Sequence, residues 1–309
     1  MRLESPKAEP VPNQIRLLSP GGGGGGVEIA RAECSPGQAP GEIDLAALFS
    51  VLWSRAPEHA VYAQVYHDDE PLGPAVVLQP MTTPVYAPHA DRDGVPAFVT
   101  PPAKSRAFTG YRAYVDKLAV FETSRGRFTV AFRPDAAPNT AWTIRGLVAG
   151  GFYTDILVHR VASLSAQAEP DVVQFGDPSV VPPRNAKESV STVGGTGGAG
   201  FMVDLEPSTL KNDFGVVSLA RGRDPNSGSS QIVIALSRER CASMDGRYAA
   251  FGEVVEGAEV LLSLAHVPVD AEYRTLNPPV ITSAKLVDAP PFPKKPGRVT
   301  DPSLAAPKR

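Results

Sequence analysis

"GGTGGAGFMVDLEP", residues 194–207, decides between two architectures. Gly195, Gly197 and Gly200 have the G-x-G-x-x-G spacing of a dinucleotide-binding turn. That spacing has physical meaning only between a buried strand and a helix whose N-terminus receives a pyrophosphate. Upstream, "PPRNAKESVST" (182–192) is polar and carries prolines, with no apolar run for a central parallel strand. Downstream, Phe201, Val203 and Leu205 alternate with other residues until Pro207. A period of two predicts a strand and not a helix. No Gly-Lys-Ser/Thr closes the run, so a Walker-type phosphate loop is excluded as well.

The segments around these glycines are of the same kind. "KLAVFETS", "RG" and "RFTVAF" (117–132) predict a hairpin of two short alternating strands around a glycine-bearing turn. In "PDAAPNTAWTIRGLVAGGFY" (134–153), Pro138 suits a first helical turn. Ile144, Leu147 and Val148 make an apolar stripe there, and Gly150-Gly151 stops the helix. Strand-like segments follow in "DILVHRV", "DVVQFG", "FMVDLE", "GVVSLAR", "SQIVIALS" and "AAFGEVV". A second amphipathic helix, "GAEVLLSLAHV", precedes a closing strand in "PPVITSAKLV". Two helices among about eight short strands predict a mainly β fold, a closed antiparallel barrel with helices at its ends.

Ahead of this unit, residues 1–26 form a charged, proline-bearing lead ending in six glycines, expected to be disordered. Residues 27–116 predict a small α+β accessory domain and linker. Leu45, Leu48, Phe49 and Leu52 lie on one face of a short helix that Asp44 could cap, and "AVYAQVYH" and "PAVVLQP" read as strands joined by "DDEPLG". Residues 82–113 read as an extended connection. The tail over 289–309, rich in proline and lysine, is expected to be disordered.

Composition narrows function. The chain has 309 residues, 42% of them hydrophobic, with 32 Pro and 28 Gly, which favours strands and loops over a helical bundle. A net charge of −3 gives no electrostatic case for nucleic acid or an anionic membrane as partner. Cys34 and Cys241 are expected to be unpaired. No apolar leader is visible and the longest apolar stretch, "LAALFSVLW", is too short to span a bilayer, so the expected location is cytoplasmic. The five histidines show no paired metal spacing, no Gly-x-Ser-x-Gly elbow exists, and Cys241 has no activating base in the sequence.

A resemblance then becomes specific. "APNTAWTIRGLVAGGFY", "VHRV", "VVQFGDP", "GGTGGAGF", "GVVSLAR", "GSSQIVI" and "DGRYAAFGEVVEG", following the hairpin in this order, resemble a cyclophilin-type peptidyl-prolyl cis-trans isomerase in a divergent, bacterial-like form, over residues about 117–288. The resemblance implies an eight-stranded barrel capped by two helices, and a cofactor-free isomerase acting on proline-containing peptides or unfolded clients. The glycines of 194–200 would then be a turn leading into a barrel strand. Arg160, in "VHR", would be the catalytic donor, and Gln174, in "QFGD", would orient it or hold the peptide backbone. Gln231 matches the glutamine of the family's Gly-Ser-Gln-Phe-Phe, and Ala220, Arg221 and Gly222 stand for the segment that bonds the substrate backbone.

The departures lie in the proline slot, where the family uses aromatic residues. Asp171 stands three before Gln174, Val233 two after Gln231, and Ser243 before Met244. Val172, Met244 and Tyr248 remain compatible with a slot wall. A buried Phe contributes about 1.5–3 kcal/mol, so losing two is expected to weaken catalysis roughly a hundredfold. Replacing Asp171 and Val233 together by Phe is then expected to raise turnover. Taken alone, Arg160 reads as a salt-bridged strand residue and His159 as a core histidine on the opposite face. The alternative function is a non-catalytic peptide-binding or scaffold module.

Overall fold

The computed structural model describes residues 11–20, 26–34, 43–54, 59–82, 87–90, 96–99, 107–164, 169–183, 190 and 197–304. Gly194 and Gly195 of the opening stretch lie outside them. The chain divides into two compact units, one of 1–81, 108–116 and 288–295, the other of 82–107, 117–287 and 296–309.

The larger unit is a closed barrel of eight strands. In chain order they are β8 (Lys117–Thr123), β9 (Gly126–Phe132), β10 (Ile156–Ala162), β11 (Val172–Phe175), β12 (Val216–Leu219), β13 (Ile232–Ala235), β14 (Ala250–Glu256) and β15 (Val280–Asp288). Around the barrel they run β10-β11-β13-β12-β14-β9-β8-β15, and β15 closes the ring against β10. Alternation sends Val173, Phe175, Ile232 and Ile234 inward, onto Phe121, Phe128 and Tyr153. The rings of Phe121 and Phe128 stack with centroids 4.9 Å apart. Helices α3 (Pro138–Ala149) and α4 (Ala258–Ala265) add Ile144, Val148, Leu261 and Leu264 to this core. Pro138 occupies the first turn of α3, and Gly150 caps its end.

One expected strand is absent. Over 201–207 only Val203 pairs, in an isolated bridge with Gly228, and no helix follows the glycines either. The physical reason is Glu206. Its buried carboxylate accepts from Asn139 N at 3.0 Å, Thr140 N at 2.7 Å and Thr140 Oγ1 at 2.6 Å. Ala137, at the N-cap of α3, has no side chain to meet those amides, so a residue from a distant loop does so. A segment whose Glu206 and Leu205 both turn inward cannot hold the in-out alternation of a strand. Burial raises the Glu206 pKa, and the bonds from Thr140 and Asn139 oppose the rise.

The smaller unit is a five-stranded sheet of order β2-β1-β3-β4-β7, made of β1 (Gln14–Ser19), β2 (Val27–Glu33), β3 (Val61–His67), β4 (Glu70–Thr82) and β7 (Phe108–Val115). The remaining strands, β5 (Ala87–Ala90) and β6 (Pro96–Val99), form a separate antiparallel pair. Three expectations are corrected here. The lead contributes β1, whose Ile15 and Leu17 are buried, because pairing with β2 and β3 satisfies a backbone that its polar flanks could not. The connection contributes β7. The tail is placed too: Phe292 is buried with its ring stacked 4.1 Å from Tyr62, and its N–H donates to Gln64 Oε1 at 2.8 Å. Further on, Val299 N donates to Val254 O at 2.9 Å within the barrel unit.

The single helix expected after Asp44 is two single turns, α1 (Leu45–Leu48) and α2 (Val51–Ser54). Asp44 does cap the first, accepting from Ala46 N and Ala47 N. The break at Phe49 lets Phe49 and Leu52 both enter the core beside Leu17 and Val61. Among the described residues no helix is long and apolar enough to cross a membrane, and no three metal-ligating side chains cluster. Cys34 and Cys241 are both unpaired.

Candidate active site

Three adjacent strands build the site on the outer face of the barrel. Cross-strand register places Arg160 opposite Gln174, and Gln174 opposite Val233. Since Val173, Phe175, Ile232 and Ile234 point inward, Val172, Gln174, Val233 and Ala235 must point out. There they meet a second, smaller apolar cluster of Ala162, Val172, Ala220, Val233, Ala235, Cys241 and Met244, with Tyr248 packed against it. A 3-10 turn over Ala242–Met244 carries Met244 into this cluster.

Above the cluster lies a cavity of about 250 Å³, lined by His159, Arg160, Leu164, Val172, Gln174, Ala220, Arg221, Val233, Met244, Tyr248 and Arg274. Eight of the residues singled out in the sequence therefore share one cavity. Arg160 has no carboxylate partner among the described residues; its Nη1 donates to Gln174 Oε1 at 3.4 Å. From there a polar chain runs away from the cavity. Gln174 Nε2 donates to Gln231 Oε1 at 2.8 Å, and Gln231 Nε2 donates to Gly197 O at 2.8 Å and Asp177 Oδ2 at 3.2 Å. Each amide in such a chain polarises the next, so the carboxylate of Asp177 strengthens the pull of Gln174 on Arg160. Gln231 thus supports the wall and is not itself part of it. Gly176, between Gln174 and Asp177, has φ +102°, and a Cβ there would stand 2.4 Å from Ser230 O. Only glycine permits that approach.

Three residues need correction. Asp171 does not face the cavity. It has no exposed surface, is ion-paired with the Arg240 guanidinium, and accepts from Leu164 N at 2.6 Å. A carboxylate three residues before Gln174 lies where a full ion pair with Arg240 compensates its desolvation. Gly222 is also outside the lining; its N–H is taken by Ser227 Oγ at 2.8 Å. Ser243 is exposed on the 3-10 turn and is likewise not a lining residue. The apolar wall expected at Asp171 is supplied by Leu164, held through its backbone by that same carboxylate. No sequence signal marks Leu164, because its position depends on the bend after β10.

His159 and Arg274 were also missed. Between Val158 and Arg160 the β10–β11 register slips, so His159 is the extra residue of a bulge. The slip brings His159 to the cavity beside Arg160 instead of sending it to the opposite face. Arg274 reaches the site through a backbone bridge to Arg160. Burial pushes the His159 pKa down to about 4, against the attraction of the Asp177 carboxylate. The unfolded chain takes up this proton near pH 6.5 and the folded one only near pH 4, so the contribution of His159 to stability is full above pH 6.5 and is lost as pH falls from 6.5 to 4. The loss is on the order of 3 kcal/mol. An NMR titration of the ring is expected to give a midpoint near 4; a midpoint above 6 would refute the buried neutral state.

With the geometry in place, the family is identified by comparison. Residues 118–286 match the model of the cyclophilin type peptidyl-prolyl cis-trans isomerases. The chain is 30% identical over 176 residues to peptidyl-prolyl cis-trans isomerase-like 1 of Aspergillus fumigatus, covering 55% of this chain and 94% of that protein. It is 28% identical over 169 residues to peptidyl-prolyl cis-trans isomerase ppi1 of Schizosaccharomyces pombe, covering 53% and 94%. A crystal structure of a Cryptosporidium parvum cyclophilin type peptidyl-prolyl cis-trans isomerase matches with TM-score 0.46 and 23% identity, over 57% of this chain and 99% of that one. By the family match over more than half its length, this chain belongs to the cyclophilin-type peptidyl-prolyl cis-trans isomerases.

Proposed function

We propose that the cavity on the outer barrel face is where this chain isomerises X-Pro bonds of proline-containing peptides or unfolded proteins, with Arg160 as the catalytic donor. Amide resonance sets a barrier of about 20 kcal/mol to rotation of such a bond. Twisting the bond frees the lone pair of the prolyl nitrogen, and a donor aimed at that nitrogen stabilises the twisted state more than the planar one. Arginine keeps its charge at any working pH and presents a rigid fork of N–H groups. The observation that carries the reading is one cavity holding both requirements: a guanidinium without a carboxylate partner, and an aliphatic wall of Val172, Val233, Met244 and Leu164 for the proline ring. Gln174 is then a positioning residue, since it bonds Arg160 on one side and Gln231 on the other.

The wall is aliphatic where the resemblance calls for aromatic rings, which supports a turnover limited by weak seating of the ring. The test is an exchange assay on a short Ala-Pro peptide. Acceleration of cis-trans exchange above the uncatalysed rate is expected. Saturable binding of the peptide without acceleration would overturn the catalytic reading and leave a peptide-holding module.

A further inference from the structure

Among the described residues the cavity wall contains three arginines, Arg160, Arg221 and Arg274, and no aspartate or glutamate. The whole chain carries a net charge of −3, so this concentration of positive charge is local. Arg274 is already compensated: its Nε lies 2.7 Å from Asp270 Oδ2 and its Nη2 3.1 Å from Glu272 Oε2. Arg160 and Arg221 have no carboxylate partner among the described residues.

Arg221 is nonetheless held in place. Its Nε donates to Arg247 O at 2.7 Å, and its Nη1 donates to Gly222 O at 2.9 Å and Arg223 O at 3.3 Å. Its Cζ lies over the Tyr248 ring, 5.1 Å from the centroid. Neutral carbonyls and a ring fix the side chain without cancelling its charge, and Nη2 keeps both N–H groups without a described partner. A guanidinium so restrained has little rotamer freedom left to lose when an anion binds. The resemblance gave this position the task of bonding the substrate backbone; the guanidinium adds a charge to that task.

We propose that the cavity selects proline segments with an acidic residue at one of the two positions before the proline, and that Arg221 is the residue that reads it. The inference rests on the proposed function, because the same cavity must first accept the proline. A carboxylate reaching Nη2 would make a charge-assisted hydrogen bond in a half-buried setting, where screening is weaker than at an open surface. The second uncompensated cation, Arg160, attracts the same group and repels a lysine. An acidic peptide is therefore favoured both by the fixed donor and by the field around it.

The experiment measures kcat/KM on two sets of short peptides, one varying the residue directly before proline and one varying the residue before that. Each set contains Glu, Gln and Lys versions. At low salt, Glu is expected to exceed Gln about tenfold in at least one set, with Lys below Gln. The Glu/Gln ratio should fall toward one at about 1 M salt, where the Debye length is ~3 Å, and in Arg221→Gln at low salt. Because the ratio is internal to each variant, a general loss of turnover in Arg221→Gln does not disturb it. A native ratio near one in both sets, with all peptides turned over, overturns the acidic preference. A tenfold ratio that survives Arg221→Gln overturns the assignment to Arg221. No turnover of any peptide would refute the isomerase reading itself.

Discussion

Arg160→Ala is expected to lower kcat/KM on a short proline peptide about a hundredfold or more while leaving the fold unchanged. The size follows from what the side chain supplies. Removing one preorganised donor aimed at developing charge or a freed lone pair costs on the order of 10²–10³ in rate, and among the described residues no second donor in the cavity is placed to replace it. Arg221 is restrained by three carbonyls and Arg274 by two carboxylates, so neither guanidinium is free to move. The fold should tolerate the change, since the described bond that Arg160 loses is a 3.4 Å contact to Gln174 and the side chain is part-exposed. Arg160→Lys is expected to recover only part of the loss, because an ammonium keeps the charge without the planar fork. Equal turnover in native and Arg160→Ala enzyme, with matching thermal unfolding, would refute the assigned role.

The second large effect is on stability. Asp171→Ala is expected to cost about 3–5 kcal/mol, the range for breaking a buried ion pair by removing one partner. Asp171 is fully buried, and its loss would leave the Arg240 side chain, only 22% exposed, with the exposed Glu169 at 3.7 Å as its remaining carboxylate, and the Leu164 amide without its acceptor. Asp171→Phe, favoured when the residue is taken for a missing slot wall, should be worse still, because a ring must then enter a filled and charged site. The gain in turnover expected of the Asp171→Phe, Val233→Phe pair therefore does not follow: Val233 lines the cavity and Asp171 does not. Urea unfolding decides the matter. An unfolding free energy for Asp171→Ala within about 0.5 kcal/mol of native would show that the Arg240 pair contributes little. A loss in Asp171→Ala matched by Arg240→Ala, with no further loss in the double variant, would show one shared interaction.

The contrast between Asp171 and Val233 shows how far local spacing carries. Both were placed by counting from a glutamine along a strand. Val233 lies within β13, where the two-residue period holds, so counting gives its face. Asp171 lies just before β11, but its N–H still donates to Ala162 O and its C=O accepts from Leu236 N, so the period continues through it. Three residues from Gln174 is an odd step, which sends its side chain to the face opposite Gln174. His159 failed for a related reason: one extra residue in β10 turns a side chain through the plane of the sheet. The strand predicted over 201–207 had the alternation but not the pairing partner, and Glu206 was committed to a helix N-terminus that the local sequence could not disclose.

The sequence by itself determined the elements whose signals are local: the 117–132 hairpin, both barrel helices with their proline and glycine punctuation, and the alternation of strands that makes a barrel. The cavity residues Arg160, Gln174, Val172 and Val233 were named through the resemblance, and for Val172, Gln174 and Val233 the two-residue period of β11 and β13 agrees with the face they take. Only the tertiary structure decided the rest. Whether residues 14–19 would become a strand depended on two partners far along the chain. Whether Asp171 would be slot wall or buried anchor depended on Arg240, and Leu164 and Arg274 entered the cavity through a bend and a distant backbone bridge. Each is a long-range pairing of polar groups, and such a pairing acquires its energy only when folding removes both partners from water.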